Sequence, residues 1–379
     1  MAGLNKDIIT EVLIRLPVKS VFRFKLVCRD WLQYIKCPLF AQTYQSHNGP
    51  STLAGFLQTR SIYIHFYPVN NSKLYSSRSM ITRPIRNIQH SIHRIVASSD
   101  GRVLLVDRYN GWELLCNSIT GELFKIPEFP HWAHGVGIIH QEPHVKLVFA
   151  YHAKGTMTTY RTLRRSKYIM FKTFTTETNQ WTTMLVHLSK VMRFHVKEDA
   201  GVVVGDAMYW LARTGDVLQY KLSCVEEGDS KMISPPYQSC FNYNGEHCFH
   251  KANTLHCGSN GALYYCSNDR KEAKIWVLLS DDDHNMSWCM KYKVCLGVHG
   301  FHGRLGRASY LCLKQEVMFM WFFSTMGISW GEMIKFGLED GKTEVVYTTQ
   351  RHRLSRTSIV PYFFPLWPAA SFVRSEAMI

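Results

Sequence analysis

The sequence predicts a chain that is α+β by domain. A small three-helix module fills residues 1–45, a linker runs over 46–60, and a large all-β domain fills 61–379. Two observations predict it. Apolar residues recur at helical spacing over the first 40 positions. From about Ser51 short apolar runs alternate with turn residues instead, and aromatic residues, which favour strands, make up 13% of the chain.

The helices come first. Leu4, Ile8, Val12 and Leu16 recur at i, i+4, with Ile9 and Leu13 widening the stripe. Asn5 is a helix cap by type, and Asp7 suits the positive end of the helix dipole. Leu16-Pro17 ends this helix, because the residue before proline is pushed out of the α region. A second helix fits Val18 to Val27, and a third runs from Arg29 to Ile35 and stops before Pro38. The apolar stripe of the first helix is wider than a core-facing stripe of about 100°. So small a bundle cannot hide it all, which leaves two readings: the excess packs on the rest of the chain, or a partner covers it.

Strands are predicted at Ser61–Tyr67, Val103–Asp107, Trp112–Cys116, Val145–Tyr151 and Tyr168–Thr175. Five more fall at Ala207–Ala212, Leu263–Ser267, Lys274–Leu279, Val317–Phe323 and Met333–Gly337. Turn signals sit between them at Asn110-Gly111, Thr214-Gly215-Asp216, Asn260-Gly261 and Asp340-Gly341. Gly205-Asp206-Ala207-Met208-Tyr209-Trp210 echoes Asn260-Gly261-Ala262-Leu263-Tyr264-Tyr265, with Ser99-Asp100-Gly101-Arg102 as a weaker copy. A second echo sets Trp after a polar turn, at Asn179-Gln180-Trp181 and Met286-Ser287-Trp288. Short strands with periodic aromatics predict a β-propeller of six to eight blades, and about 45 residues per blade gives about seven. A pair of β-sandwiches is the alternative.

Lys and Arg total 44 against 29 acids, a net charge of +15. Nucleic acid, a membrane surface or an acidic partner would suit it. No nucleic-acid recognition module accompanies the basic runs at Arg161–Lys167 and Arg351–Arg356, which argues against nucleic acid. The longest uncharged apolar stretch, Val317 to Trp330, is short of the roughly 20 residues that span a bilayer. The 11 cysteines are odd in number and scattered, without a C-x-x-C, as reduced thiols would be. No secretory signal opens the chain, so cytoplasm or nucleus is expected.

Catalytic patterns are few. Gly327-Ile328-Ser329-Trp330-Gly331 matches G-x-S-x-G, but that elbow needs a helix after it, and Glu332 to Gly341 reads as a strand. Gly337 to Thr343 falls one residue short of a phosphate-binding loop. Asp281, Asp283 and Asn285 begin like a calcium loop whose required Gly is Met286. His247, Cys248, His250, His256 and Cys257 match no standard zinc spacing. No catalytic, cofactor-binding or metal-binding residue is expected.

Residues 4–40 are similar to the F-box, in its plant form. Leu4, Ile8-Ile9, Glu11-Val12-Leu13, Arg15 to Ser20, Arg23-Phe24-Lys25, Val27-Cys28, Trp31, Ile35, Pro38 and Phe40 carry the resemblance. F-boxes open with Leu-Pro, where this chain has Leu4-Asn5. The resemblance implies that the module binds a Skp-type adaptor, and through it cullin and RING subunits. The implied contact residues are Leu4, Ile8, Val12, Leu16, Pro17, Val21, Val27 and Cys28, with Phe24 and Trp31 holding the helices together. The rest resembles the F-box-associated domain of plant F-box proteins, at Ser98–Gly101, Cys116–Gly121, Ala207–Ala212, Gly261–Tyr264 and Ile275–Leu278. The family has Asn-Pro where this chain has Asn117-Ser118.

The expected function is therefore substrate recognition within a Skp-cullin-F-box ubiquitin ligase, without catalysis by this chain and with no cofactor. The β domain would bind an unknown protein target, with Arg161, Arg164 and Arg165 as a contact for acidic or phosphorylated segments. The alternatives are a non-degradative F-box scaffold and a serine hydrolase using Ser329.

Overall fold

In the computed structural model the described residues are 6–16, 18–48, 52–60, 63–69, 93–107, 113–117, 122–127, 133, 135–141, 144–152, 167–189, 199–212, 214–223, 230–236, 252–258, 260–268, 272–280, 285–295, 306–314, 316–324, 330–350 and 359–364. Four helices open the chain: α1 (Lys6–Ile14), α2 (Val18–Phe24), α3 (Arg29–Lys36) and α4 (Pro38–Asn48). The fourth corrects the expectation of three. Pro38 starts a helix, because the missing N–H and fixed φ of proline cost nothing in a first turn. The segment expected to be a linker, 46–60, holds the end of α4 and a complete strand, β1 (Thr52–Arg60).

Among the described residues, twenty-four strands then form six sheets. β1 pairs antiparallel with β2 (Tyr63–Pro68). The second sheet holds β3 (His93–Ser99), β4 (Arg102–Asp107), β5 (Glu113–Asn117) and β6 (Leu123–Lys125) in sequence order. The third holds β7 (Gly135–Gln141), β8 (His144–His152), β9 (Tyr168–Thr175) and β10 (Gln180–His187), and β11 (Asp199–Ala200) joins β7 in parallel. The fourth holds β12 (Val202–Val204), β13 (Ala207–Leu211), β14 (Val217–Lys221) and β15 (Ser230–Ile233). β16 (Ala252–Cys257), β17 (Leu263–Asn268), β18 (Glu272–Ser280) and β19 (Met286–Cys295) make the fifth. β20 (Gly306–Lys314), β21 (Val317–Ser324), β22 (Trp330–Gly337) and β23 (Thr343–Gln350) make the sixth.

The last strand, β24 (Ile359–Phe364), returns to the first sheet and pairs antiparallel with β1, from Thr52↔Phe364 to Gln58↔Ile359. Neighbouring sheets touch through β24, β3, β7, β12, β16 and β20 in a closed cycle. The fold is thus a six-bladed β-propeller, and those six strands line its centre. Two separate sandwiches would not give this cycle. Six blades is at the low end of the expected range, because 24 residues between β2 and β3 and 18 between β15 and β16 lengthen the chain without adding a sheet among the described residues.

Burial explains why these strands read as apolar. In the second and third strands of a blade, alternate side chains enter different interblade cores. Leu263 and Tyr265 pack toward the fourth blade, with Tyr209 and Val217. Tyr264 and Cys266 pack toward the sixth, with Met318 and Met320. A strand buried on both faces loses the polar alternation of a half-exposed one. Six such apolar clusters, one per interface, separate the blades, and the cluster between the sixth blade and the first joins Phe56 and Tyr67 to Phe319, Trp321 and Met333.

Both sequence echoes have structural counterparts. Asp100-Gly101, Gly205-Asp206 and Gly261 occupy the turn between first and second strands of their blades, with φ of 40° and 75°, 57°, and 72°. Glu316 takes the same turn in the sixth blade at φ 57°. The tryptophans are equivalent too. Trp181 on β10 donates from Nε1 to the Pro127 carbonyl at 2.8 Å, and Trp288 on β19 donates to the Ser234 carbonyl at 2.8 Å. Each acceptor follows the outer strand of the preceding blade, so each tryptophan ties its blade to the one before it.

Two predictions follow from this packing. Trp181→Phe and Trp288→Phe should each lower stability by about 1 kcal/mol, read as a shift in denaturant midpoint, because an interblade hydrogen bond is lost while most ring contacts stay. Gly55→Ala should cost about 1–3 kcal/mol, since a Cβ there would lie 2.2 Å from the Tyr67 carbonyl oxygen and 2.6 Å from the Phe66 ring.

Candidate functional site

The helical module concentrates exposed apolar surface. Its core is built from Leu13, Ile14, Val21, Ile35, Phe40 and Tyr44, with Phe24 and Trp31 packed against it 5.1 Å apart, in the structural role expected of them. Tyr44 donates its hydroxyl to the Leu16 carbonyl at 2.7 Å, and Thr10 bonds Tyr34 through their hydroxyls. These bonds tie α1 to α4 and α3.

Outside this core the apolar residues face water. Ile8 is 55% exposed and Val12 53%, one turn apart on α1. The stripe of α1 therefore has two directions: Leu13 and Ile14 point into the core, while Ile8 and Val12 point away beside Asp7, Glu11 and Arg15. Past α2 the backbone tightens into three successive i→i−3 hydrogen bonds, from Lys25, Leu26 and Val27 to Phe22, Arg23 and Phe24. That turn carries Leu26, 88% exposed, and Val27, 58% exposed. Leu39 in the first turn of α4 is 69% exposed. These five are half of the large apolar residues found exposed among the described residues. Singly exposed apolar residues are ordinary, and five within one small helical module are a concentration of apolar surface.

The structure sorts the expected contact residues. Ile8, Val12 and Val27 are exposed, and Leu16 and Cys28 are partly buried. Leu4 and Pro17 lie outside the described residues. Val21 is fully buried within the module core, which corrects its expected outward role: α2 turns that face against the other helices. Leu26 and Leu39 were missing from the expected set. The periodicity extended α2 to Val27, and Leu26 falls off the apolar face of that longer helix. Leu39 follows a proline that reads as a stop.

The other candidate chemistry dissolves into hairpins. Ser329 lies outside the described residues, but β21 and β22 on either side of it pair antiparallel, and Trp330 begins a strand and no helix. Gly337 to Thr343 is the turn from β22 to β23, closed by Gly337 N–H to the Lys342 carbonyl at 2.9 Å, so no phosphate loop forms. Asp281 and Asp283 lie outside the described residues, and Asn285 leads straight into β19. His247, Cys248 and His250 also lie outside them, and no grouping of three metal-ligating side chains occurs among the described residues. His256 meets Thr254 Oγ1 through Nε2 at 2.9 Å, and desolvation lowers its pKa to about 4. Arg161, Arg164 and Arg165 lie outside the described residues as well.

Residues 2–42 match the family described as the F-box domain. Among curated relatives, F-box protein At1g47340 of Arabidopsis thaliana is 22% identical over 317 residues, covering 76% of this chain and 62% of its own length. F-box protein At2g23160 of the same plant is 24% identical over 226 residues, covering 55% of this chain and 69% of its own. A third Arabidopsis F-box relative is 30% identical over 135 residues, 32% of this chain and 31% of its own length. The first and third of these matches span less than two thirds of the relative. Among the described residues no helix is long and apolar enough to cross a membrane.

Burial predicts opposite outcomes for neighbouring valines. Val21→Asp should cost about 3–5 kcal/mol and unfold the module, seen as lost helical circular dichroism, because it buries an unpaired carboxylate. Val12→Asp should stay within about 0.5 kcal/mol of the parent. A pH dependence follows from His256. Its folded pKa of about 4 lies below the ordinary 6.5, so the unfolded chain takes up the proton first. The stability it contributes is complete above pH 6.5 and is lost as pH falls toward 4, and His256→Gln should flatten that part of a denaturant-midpoint profile.

Proposed function

We propose that this chain, which carries an F-box domain ahead of a six-bladed β-propeller, is the target-recognition subunit of a Skp-cullin-F-box ubiquitin ligase. The module docks on a Skp-type adaptor, and the ring holds a protein target. The observation that carries this reading is the group of exposed apolar side chains, Ile8, Val12, Leu26, Val27 and Leu39, on a module that matches the F-box. Covering each of them would stabilise the complex by roughly 25 cal/mol per Å² of apolar surface removed from water.

The chemistry belongs to other subunits. Holding a target beside a ubiquitin-charged enzyme raises the effective concentration of its lysines, so no residue of this chain needs to reach the reacting atoms. The cytoplasm or the nucleus is the compartment in which such a subunit would act.

The test is capture by purified Skp-type adaptor. The full chain should be retained. Ile8→Asp with Val12→Asp should weaken retention by at least about tenfold while the circular dichroism of both domains stays unchanged, since each lost contact is worth about 1.5–3 kcal/mol. Full retention of the double variant would overturn the docking surface. Failure of the parent chain to bind adaptor at all would overturn the ligase assignment.

A further inference from the structure

One sheet edge in the ring lacks the protection that the others carry. β10 is the outermost strand of the third blade, and no strand lies beyond it among the described residues. Its register with β9 is unbroken from Gln180↔Thr175 to His187↔Tyr168. Just past it, Leu188 N–H donates to the Lys167 carbonyl at 2.8 Å. Hydrogen-bonded pairs alternate along an antiparallel ladder, so Val186, Met184 and Thr182 also turn their backbone groups to β9. Thr183, Leu185 and His187 turn theirs outward, away from the sheet.

Proteins blunt such edges with short strands, bulges, prolines or charged side chains. The other outer strands of the ring do so. β6 has three residues, and β15 has four with Lys231 exposed. β19 is bulged at Lys291, between the pairs Ile275↔Tyr292 and Trp276↔Met290, and also carries Lys293. β23 is bulged at Val346 and carries Glu344, paired with Lys335 at 3.3 Å. β2 ends in Pro68, and its Phe66 and Tyr67 are buried. β10 has eight residues with no bulge, no proline and no Lys, Arg, Asp or Glu.

The face beside this edge is apolar and uncovered. Thr183, Leu185 and His187 stand on one side of β10, opposite Lys172, Met170 and Tyr168 of β9. Leu185 is 43% exposed and Tyr168 48%. The Tyr168 and His187 rings lie 4.9 Å apart. The cause is the preceding blade. Its short outer strand reaches only the start of β10, where Phe124 packs 5.9 Å from Phe174 and the Pro127 carbonyl accepts from Trp181. Thr183 to His187 is left as a shelf about 13 Å long, at about 3.3 Å per residue.

Charge on the shelf has one sign. β9 and β10 carry no acid, Lys172 lies beside Thr183, and Lys167 is exposed next to Tyr168. Glu177 sits in the hairpin turn at the opposite end. The whole chain carries +15, so a second copy is repelled and an anionic segment is drawn in.

We propose that the outer edge of β10 is a docking site for an extended protein segment, which joins the sheet as a further strand. Its backbone pairs with Thr183, Leu185 and His187. Its alternate apolar side chains lie on Leu185, Met170 and Tyr168, and its acidic residues lie toward Lys172 and Lys167. In this mode main-chain pairing supplies affinity and the alternate side chains supply specificity. That the segment belongs to a ligase target rests on the function proposed above, while the edge site stands without it.

The test is fluorescence anisotropy with the full chain and labelled peptides of alternating valine and threonine that carry a pair of glutamates at the amino or the carboxyl end. One of them should bind saturably, and the position of its glutamates fixes the strand direction. Exchanging the glutamates for lysines should weaken it about tenfold. Methylating one alternate set of its backbone amides should abolish binding, while methylating the other set should leave it within a factor of about two. Thr183→Pro removes one outward N–H and keeps the ladder to β9, so it should weaken binding by about tenfold or more with unchanged circular dichroism. Leu185→Glu, which sets a like charge against the peptide, should do the same. Val345→Glu, at a side chain 54% exposed on β23, should leave binding within a factor of about two.

No saturable binding by either peptide would overturn the proposal. So would equal effects of the two methylation sets, or unchanged binding in both Thr183→Pro and Leu185→Glu. Self-association of the parent chain in sedimentation equilibrium, abolished by Thr183→Pro, would overturn it by giving the edge to a second copy. Adaptor capture by the Thr183→Pro chain should match the parent. Loss of capture by the parent with peptide binding intact would remove the ligase reading and leave the edge site standing.

Discussion

The pairing of β24 with β1 is the contact on which the ring depends. Residues more than 300 positions apart supply neighbouring strands of one blade. Without that pairing the first blade would lose its central strand, and with it Val360 and Tyr362 from the core it shares with the second blade. An open arc of blades also leaves unpaired strand edges and apolar faces at both ends, which closure removes. Because each interblade core borrows side chains from two sheets, an effect at one interface reaches the neighbouring blade through the same strands. Tyr67 shows this directly: its hydroxyl donates to Gln58 within the blade while its ring packs 5.8 Å from Trp321 of the next.

The helical module solves the opposite problem. Its four helices are too few to cover their own apolar residues. Leu13, Val21 and Ile35 fill the interior completely, and Ile8, Val12, Leu26, Val27 and Leu39 are left in water. One part of the chain thus satisfies itself by closing on itself, and the other remains incomplete until something covers it.

Much of the β domain was legible because of double-sided burial. The strands read from sequence are mostly second and third strands of their blades, such as β8, β9, β17, β18, β21 and β22. Both faces of these enter apolar clusters, and the result is a conspicuous run like Val317–Phe323. Central and outer strands escaped notice. β10 leaves Thr182, Thr183, Leu185 and His187 exposed, and β12 is only three residues long. On the helices, the periodicity of α1 located Ile8 and Val12 together with Leu13, but it could not say which faced inward. Leu26 was illegible because α2 ends three residues sooner than its apolar pattern does.

By itself the amino-acid sequence determined that a helical module with surplus apolar residues precedes a β-rich repeat whose turns recur. Those properties are local, set by spacing along the chain and by the backbone preferences of Gly, Pro and Asp. The tertiary structure alone decided the number of blades, the closure through β24 and the inward turn of Val21. These depend on which strands pair and in which direction they run, and hydrogen bonds between segments hundreds of residues apart leave no periodic trace in either partner.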